Sequence, residues 1–174
     1  MDPVDLFDRG SAWTKEKIKG AKDSLDAQTP CEEWKVRDVI GHVTAGQEYF
    51  QKSARGEEAS FDVFAPSGEV AADPAAAYET ARQATLDAFR GADPEKNAMT
   101  MGIAFVDQVI HGTDIAKATG QDATIPTDLA EAAFGMMKGN LPPERRGNAF
   151  APEIEVPEDA PVQDKLLAYM GRKP

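Results

Sequence analysis

Histidine and cysteine are both scarce in this chain, which has two histidines and one cysteine among its 174 residues. The single cysteine, Cys31, excludes an intramolecular disulfide, so we expect a protein of the reducing cytoplasm. No hydrophobic run approaches the length of a membrane span, and the N-terminus lacks the basic-then-apolar pattern of a signal peptide. The sequence therefore predicts a cytoplasmic protein that does not cross a membrane.

Basic residues are also few compared with acidic ones. Lysine and arginine together number 19, against 30 aspartates and glutamates, which gives a net charge of −11. A chain this acidic repels the phosphates of nucleic acids and the surfaces of anionic membranes. We therefore expect small-molecule partners, and neither nucleic acid nor membrane. With 41% hydrophobic and 28% charged residues, the composition fits one globular domain over residues 1–174.

The alternating pattern of β-strands is absent, and helical periodicity runs through most of the chain. Asp–Pro pairs at positions 2–3 and 73–74 are typical of helix starts, and Gly91 and Gly120 of helix ends. The pattern predicts a loop over 56–72, a Pro-rich arm over 149–161, and helices over 2–25, 35–56, 73–91, 99–120, 126–140 and 162–171. We predict an all-α fold, a four-helix bundle with an additional helix and an extended C-terminal arm.

Each of the two histidines follows an aspartate by four residues, as Asp38–His42 and Asp107–His111. Four residues is just over one helical turn, so each pair shares a helix face. Both histidines lie on or beside an apolar stripe. In the helix over 99–120, which carries the second pair, one stripe is expected to face the core. It is formed by Ile103, Asp107, Ile110, His111 and Asp114. Polar groups at such positions cost roughly 1–3 kcal/mol each when they are left without partners.

A metal ion would satisfy three of these polar groups at once. Asp107 and His111 can chelate one ion from a single helix face, and His42 supplies a third ligand from another helix. Two imidazoles and one carboxylate leave a coordination position open for water or substrate. Hydrogen bonding within the core is the alternative, and the spacing alone favours neither interpretation.

The two remaining aspartates near the histidines have other predicted roles. Asp38 lies in the first turn of its helix, where a carboxylate caps free N–H groups and complements the helix dipole. Asp114 lies one turn beyond His111. It is predicted either to orient a ligand or a metal-bound water, or to pair with a basic group such as Arg37.

Three segments of the chain resemble a known family. "TPCEEWKVRDVIGHV" and "DQVIHGTDIAKATG" are similar to two signatures of the mycothiol-dependent maleylpyruvate isomerase N-terminal family, which belongs to the DinB-like superfamily. The ending, "FAPEIEVPEDAPVQDKLLAYMGRKP", resembles the tail of an actinobacterial subfamily of metal-binding proteins. The resemblance runs from about residue 5 to the C-terminus.

The resemblance implies a DinB-like bundle that holds one divalent metal, often zinc, through residues that correspond to His42, Asp107 and His111. Characterised relatives use the metal in thiol-linked chemistry, including isomerisation and thiol transfer with mycothiol or bacillithiol. The glutamate usual in the family is replaced here by Asp107, whose side chain is one methylene shorter. This replacement predicts an altered reach or coordination mode.

The functional prediction is a metal-dependent thiol transferase or isomerase that acts on a small electrophile, with mycothiol as co-substrate and Asp114 as catalytic helper. Zinc is the expected metal, with nickel or iron as alternatives. A non-catalytic, stress-related metal-binding protein, its coordination closed by Glu48 or another carboxylate, is the rival hypothesis. The third hypothesis is a non-haem iron site for oxygen chemistry. The fourth is that this chain has lost the metal because Asp107 is shorter than the usual glutamate. Apolar residues outside the main stripes are compatible with a homodimer.

Overall fold

The computed structural model describes residues 1–31, 33–60, 70–140, 146 and 150–174. Within these ranges the protein is built from helices and has no extended strand, as predicted. We number the helices α1 (Pro3–Gly20), α2 (Val36–Ala54), α3 (Pro74–Gly91), α4 (Pro94–Ala118), α5 (Thr127–Met137) and α6 (Val162–Tyr169). The chain forms two compact units, residues 1–123 and 124–174. None of the helices in these ranges combines the length and hydropathy needed to cross a membrane.

The first unit is the predicted four-helix bundle. Helix α1 packs against α3 and α4, and helix α2 packs against the same two helices. The interior is filled by large apolar side chains that are almost fully buried, among them Leu6, Phe7, Ile40, Leu86, Phe89 and Phe105. Because α2 and α4 are neighbours in the bundle, side chains on their facing sides can meet.

Three helices of the bundle begin in the same way. The carboxylates of Asp2, Asp73 and Asp93 each accept a hydrogen bond from a backbone N–H in the following turn, at 2.9, 3.0 and 3.0 Å. A proline follows each aspartate at the first helical position, where no N–H is needed. The first two starts were predicted. The third corrects the predicted start of α4 from residue 99 to Pro94, because Asp93–Pro94 repeats the same capping pattern.

Helix α1 ends earlier than its periodicity predicts, at Gly20 rather than residue 25. The side-chain amide of Gln121 donates to the carbonyl of Lys17 at 2.9 Å, and so satisfies one of the last carbonyls of the helix. The same side chain occupies the space where a Cβ on Gly20 would lie. The end of α1 is thus fixed by a residue that follows α4.

Helices α1 and α4 approach each other closely beside one of the histidines. A Cβ on Gly112 would lie 2.6 Å from both the Trp13 ring and the Thr14 hydroxyl of α1. The Thr14 hydroxyl donates to the backbone carbonyl of Gln108 at 2.8 Å. This contact holds the middle of α4, the segment that carries Asp107 and His111, against α1.

The second unit joins α5 and α6 to the C-terminal arm. Helices α5 and α6 pack together, and the backbone N–H of Ile154 in the arm donates to the Ala168 carbonyl at 3.0 Å. The guanidinium of Arg146 is buried and donates to the carbonyls of Ala151 and Tyr169, at 3.1 and 2.8 Å. The predicted short helix is confirmed, and the described arm residues are not helical. Residues 61–69 of the predicted loop, and 149 of the arm, lie outside the described residues.

Candidate metal centre

Helices α2 and α4 bring His42, Asp107 and His111 together on one side of the bundle. Oxygen Oδ1 of Asp107 lies 3.4 Å from Nε2 of His42 and 3.5 Å from Nε2 of His111. One ligand atom from each of the three residues lies within 4.8 Å of the others. These three side chains form a group that can hold a divalent metal ion.

The separations of the Asp107 carboxylate from the two imidazoles fit metal ligands better than hydrogen-bond partners. A charge-assisted hydrogen bond between nitrogen and a carboxylate oxygen is about 2.7–2.9 Å long, whereas two ligands of a tetrahedral zinc ion lie about 3.3–3.6 Å apart. The two distances from Oδ1 of Asp107, 3.4 and 3.5 Å, fall in the second range. The ligand atoms of the two imidazoles lie within 4.8 Å of each other, so the three donors surround one small volume.

The group has a buried side and a solvent side. His42 is almost fully buried, while the side chains of His111 and Asp107 are 13% and 21% exposed to solvent. Among the residues that the structure describes, no further histidine, cysteine or acidic side chain joins the group. The carboxylate of Glu48 lies 2.6 Å from the ammonium of Lys52, and the hydrogen bond between them lowers the pKa of Glu48. Closure of the coordination by Glu48 is therefore not observed.

Asp114 contacts the side of the His111 ring that points away from Asp107, and it is not on the solvent side of the group. Its carboxylate is buried, with 1% exposure, and Oδ2 is 3.2 Å from Nδ1 of His111. An ionised carboxylate only accepts hydrogen bonds, so an ionised Asp114 would hold a proton on Nδ1 and leave Nε2, the nitrogen that faces Asp107, available to a metal ion. Arg37, the alternative partner, donates to Asp26 at 2.9 Å. The arrangement is that of an oriented metal-binding histidine.

Asp107 is held by a neighbour that the sequence did not point out. The amide nitrogen of Gln108 donates to Oδ2 of Asp107 at 3.1 Å, and the Tyr78 hydroxyl donates to the Gln108 amide oxygen at 2.5 Å. Gln108 and Tyr78 are both fully buried. Burial raises the pKa of Tyr78 well above its ordinary value of 10.0, so the hydroxyl keeps its proton and remains a donor. A hydrogen-bonded chain thus runs from α3 to the candidate metal ligand.

The ring of Trp34 covers both histidines. It stacks on His111 with an interplanar angle of 12° and lies 4.8 Å from the His42 ring centre. Trp34 stands in the loop that precedes α2, where the Thr29 hydroxyl donates to the Trp34 carbonyl at 2.6 Å and the Trp34 N–H donates to the Cys31 carbonyl at 2.8 Å. Hydrogen bonds within the segment TPCEEWKVRDVIGHV therefore hold the Trp34 ring against the two histidines.

Two other sequence predictions have clear outcomes. Asp38 caps α2, since Oδ2 accepts from the backbone N–H of Lys35 at 2.9 Å, as predicted. Ile103 is 54% exposed, so the predicted core-facing stripe of α4 is wrong at this residue. Ile110 and Asp114 of the predicted stripe are buried, and the buried surface also includes Ala104, Phe105, Gln108 and Val109. The line from Asp107 to His111 therefore marks the border between core and solvent.

Gln108 could have been singled out only with the correct buried stripe of α4 in hand. It is a polar residue in the middle of the buried stripe of α4, and a buried amide needs partners for both its nitrogen and its oxygen. Tyr78 carried no comparable signal, because a tyrosine on the apolar face of α3 fits ordinary core packing. Trp34 is buried, and nothing in the spacing indicated its contact with both imidazoles.

Comparison with known proteins places the chain in a family. Two proteins of Mycobacterium tuberculosis, from strains CDC 1551 and H37Rv and both named only as uncharacterised, are each 32% identical over 184 aligned positions, covering 99% of this chain and 98% of their own. No solved structure gives a significant match. A family model described as the mycothiol maleylpyruvate isomerase N-terminal domain matches residues 15–116, more than half of the chain and all three candidate ligands. The chain therefore belongs to the mycothiol maleylpyruvate isomerase N-terminal domain family, a family of DinB-like helical proteins.

Proposed function

We propose that this protein is a metal-dependent thiol transferase or isomerase that acts on a small electrophile. The metal ion would be held by Nε2 of His42, Oδ1 of Asp107 and Nε2 of His111. The observation that carries the proposal is the convergence of these three atoms, with two separations of 3.4 and 3.5 Å, on a side of the bundle that solvent reaches. Such a set has room for a further ligand, which a catalytic site needs and a purely structural site does not.

Zinc is the metal that the donor set favours. Two imidazoles and one carboxylate with an open position are the ligand pattern of many catalytic zinc sites, and nickel or iron can occupy the same donors. When bound, zinc lowers the pKa of a coordinated thiol or water, and so supplies a thiolate or hydroxide near neutral pH. An oxygen-uptake assay separates this proposal from a non-haem iron site, which would consume oxygen.

The protein's own residues would prepare the site for this chemistry. Asp114, 3.2 Å from Nδ1 of His111, would accept its proton and so keep Nε2 free to act as a ligand. Trp34 covers the imidazole faces and keeps water from that side. The exposed edge of Asp107 marks the side from which a thiol can enter.

The family supports a low-molecular-weight thiol of the mycothiol type as the co-substrate. In the proposed addition the thiol gives its proton to solvent, and its sulfur forms a bond to an electrophilic carbon of an activated alkene. The neighbouring carbon then takes up a proton, so that nothing is oxidised or reduced. Reversal of the addition after rotation about the former double bond would give isomerisation by the same steps.

Turnover of a model reaction tests the proposal. We expect zinc-loaded protein to accelerate the addition of a cysteine-derived thiol to an activated alkene. The loss of alkene absorbance measures the rate of this addition. His111→Ala should reduce the rate to that of the uncatalysed reaction, because it removes one ligand and the partner of Asp114. Asp87→Ala, which changes an exposed carboxylate on α3, is the matched control and should keep the full rate. A zinc-independent rate, or an undiminished rate in His111→Ala, would rule out the scheme.

A further inference from the structure

The two carboxylate oxygens of Asp107 have different surroundings. Oδ1 faces both imidazoles, whereas Oδ2 accepts the hydrogen bond from the Gln108 amide at 3.1 Å. We infer that Gln108, held in turn by Tyr78, is a positioning residue that makes Asp107 a ligand through one oxygen only. This inference rests on the proposed metal site and goes beyond it, because it assigns a role to two residues that would not touch the metal.

The orientation of the Gln108 amide follows from its two neighbours. A carboxylate has no proton to donate, so the amide group that faces Asp107 must be the NH₂. The amide oxygen then faces Tyr78, whose hydroxyl is 2.5 Å away and has one proton to give. The Tyr78 hydroxyl also lies 3.3 Å from the Ser11 carbonyl, but the shorter contact identifies Gln108 as its main acceptor.

The backbone at Gln108 is fixed as firmly as its side chain. The hydroxyl of Thr14 in α1 donates to the Gln108 carbonyl at 2.8 Å, and both residues are fully buried. Side chain and main chain of Gln108 are thus anchored from two other helices, α3 and α1. An amide held in this way presents its N–H to Asp107 from a defined position.

Holding Oδ2 away from the imidazoles has a chemical consequence. A carboxylate that binds through both oxygens takes two positions around a metal ion, and one that binds through a single oxygen takes one. The short aspartate side chain has few rotamers with which to correct its own orientation. The Gln108 hydrogen bond therefore both preorganises Asp107 and keeps a coordination position available for the thiol.

Replacement of Gln108 by methionine tests this role. Gln108→Met keeps the length of the side chain and removes the donor to Asp107. We expect affinity for Zn²⁺, measured by competition with a chromogenic chelator, to fall about 10- to 100-fold, the usual effect of losing a partner that orients a ligand. With Co²⁺ in place of Zn²⁺, the intense visible absorption of a four-coordinate ion should weaken as Asp107 becomes free to bind through both oxygens.

The chain offers a matched control for the loss of a buried glutamine. Gln47 of α2 is also fully buried, and its amide nitrogen donates to the Val43 carbonyl at 3.2 Å. Gln47→Met should leave both the Zn²⁺ affinity and the Co²⁺ spectrum unchanged. An equal loss of affinity in the two variants would mean general destabilisation and would overturn the inference.

The remaining outcomes separate this inference from the proposed function. Wild-type affinity and spectrum in Gln108→Met would overturn the positioning role and leave the metal site intact. Failure of the wild-type protein to bind either Zn²⁺ or Co²⁺ would overturn both. If Gln108→Met does not fold, Tyr78→Phe provides the test, since it keeps Gln108 but releases its amide oxygen. We expect weaker Zn²⁺ binding in Tyr78→Phe, and unchanged binding would again contradict the inference.

Discussion

Each ligand of the candidate metal centre has a neighbour that limits its movement. Asp114 holds His111 through Nδ1, Gln108 holds Asp107 through Oδ2, and the Trp34 ring lies against both imidazoles. Hydrogen bonds of this kind raise the basicity of a ligand and fix its direction before the metal arrives. At this scale the site is a set of oriented donors, and the orienting residues can be removed one at a time.

Asp114 is where a positioning role and a catalytic role can be told apart. Asp114→Ala removes the acceptor at Nδ1 of His111, and we expect the Zn²⁺ affinity to fall about 10- to 100-fold. If Asp114 acts only through His111, saturating Zn²⁺ should restore most of the thiol-addition rate. If it is the predicted catalytic helper, the rate should stay low at saturating Zn²⁺. Rate measurements over a Zn²⁺ titration distinguish the two.

Asp38 provides the control for that experiment. It precedes His42 by four residues, as Asp107 precedes His111, but its carboxylate caps α2 through the Lys35 N–H. Asp38→Ala should cost about 1 kcal/mol of folding free energy, the usual effect of losing a helix cap. Its affinity for Zn²⁺ should match that of the wild type. A loss of affinity equal to that of Asp114→Ala would show that folding stability, and not orientation of His111, controls the binding.

At the scale of the helices, the site depends on how closely α4 lies against α1. Gly112 directly follows His111, and the Trp13 ring and Thr14 hydroxyl of α1 occupy the space that its Cβ would need. The hydrogen bond from Thr14 to the Gln108 carbonyl lies in the same contact. The helix that carries two of the three ligands is therefore positioned by its back surface, which the metal would not touch.

Gly112→Ala should destabilise the bundle even though alanine is the better helix former. The added methyl would lie 2.6 Å from Trp13 and Thr14, so these side chains or their helix must shift. We expect a cost of about 1–3 kcal/mol, which exceeds the gain of up to about 1 kcal/mol in helix propensity. Chemical denaturation followed by circular dichroism measures the difference. Gly91→Ala in α3, where nothing lies within 4 Å of the new methyl, should cost no stability. Wild-type stability in Gly112→Ala would refute the close-packing argument.

Across the whole molecule, the features that could be predicted are those set by nearby residues. Helical periodicity predicted the all-α bundle, and the Asp–Pro pairs predicted two helix starts. The four-residue spacing singled out Asp107 and His111, because ligands on one helix face are neighbours in the sequence. His42 was added as the other histidine beside an apolar stripe. These predictions required no knowledge of how the helices pack.

The features that escaped prediction depend on contacts between distant parts of the chain. The end of α1 is set by Gln121, which is 104 residues beyond its hydrogen-bond partner Lys17. The link between Tyr78 and Gln108 joins α3 to α4 and exists only after both helices have entered the bundle. The exposure of Ile103 likewise depends on which face of α4 is turned toward the core. The predicted stripe contained both apolar and polar residues and did not define that face.

The metal content of the protein, purified without a chelator or a histidine tag, tests the central claim most directly. Elemental analysis of the wild type should find about one divalent ion per chain, mainly zinc. It should find almost none in His111→Ala purified in parallel. A wild-type protein that retains no metal, or a His111→Ala variant that retains as much as the wild type, would contradict the account.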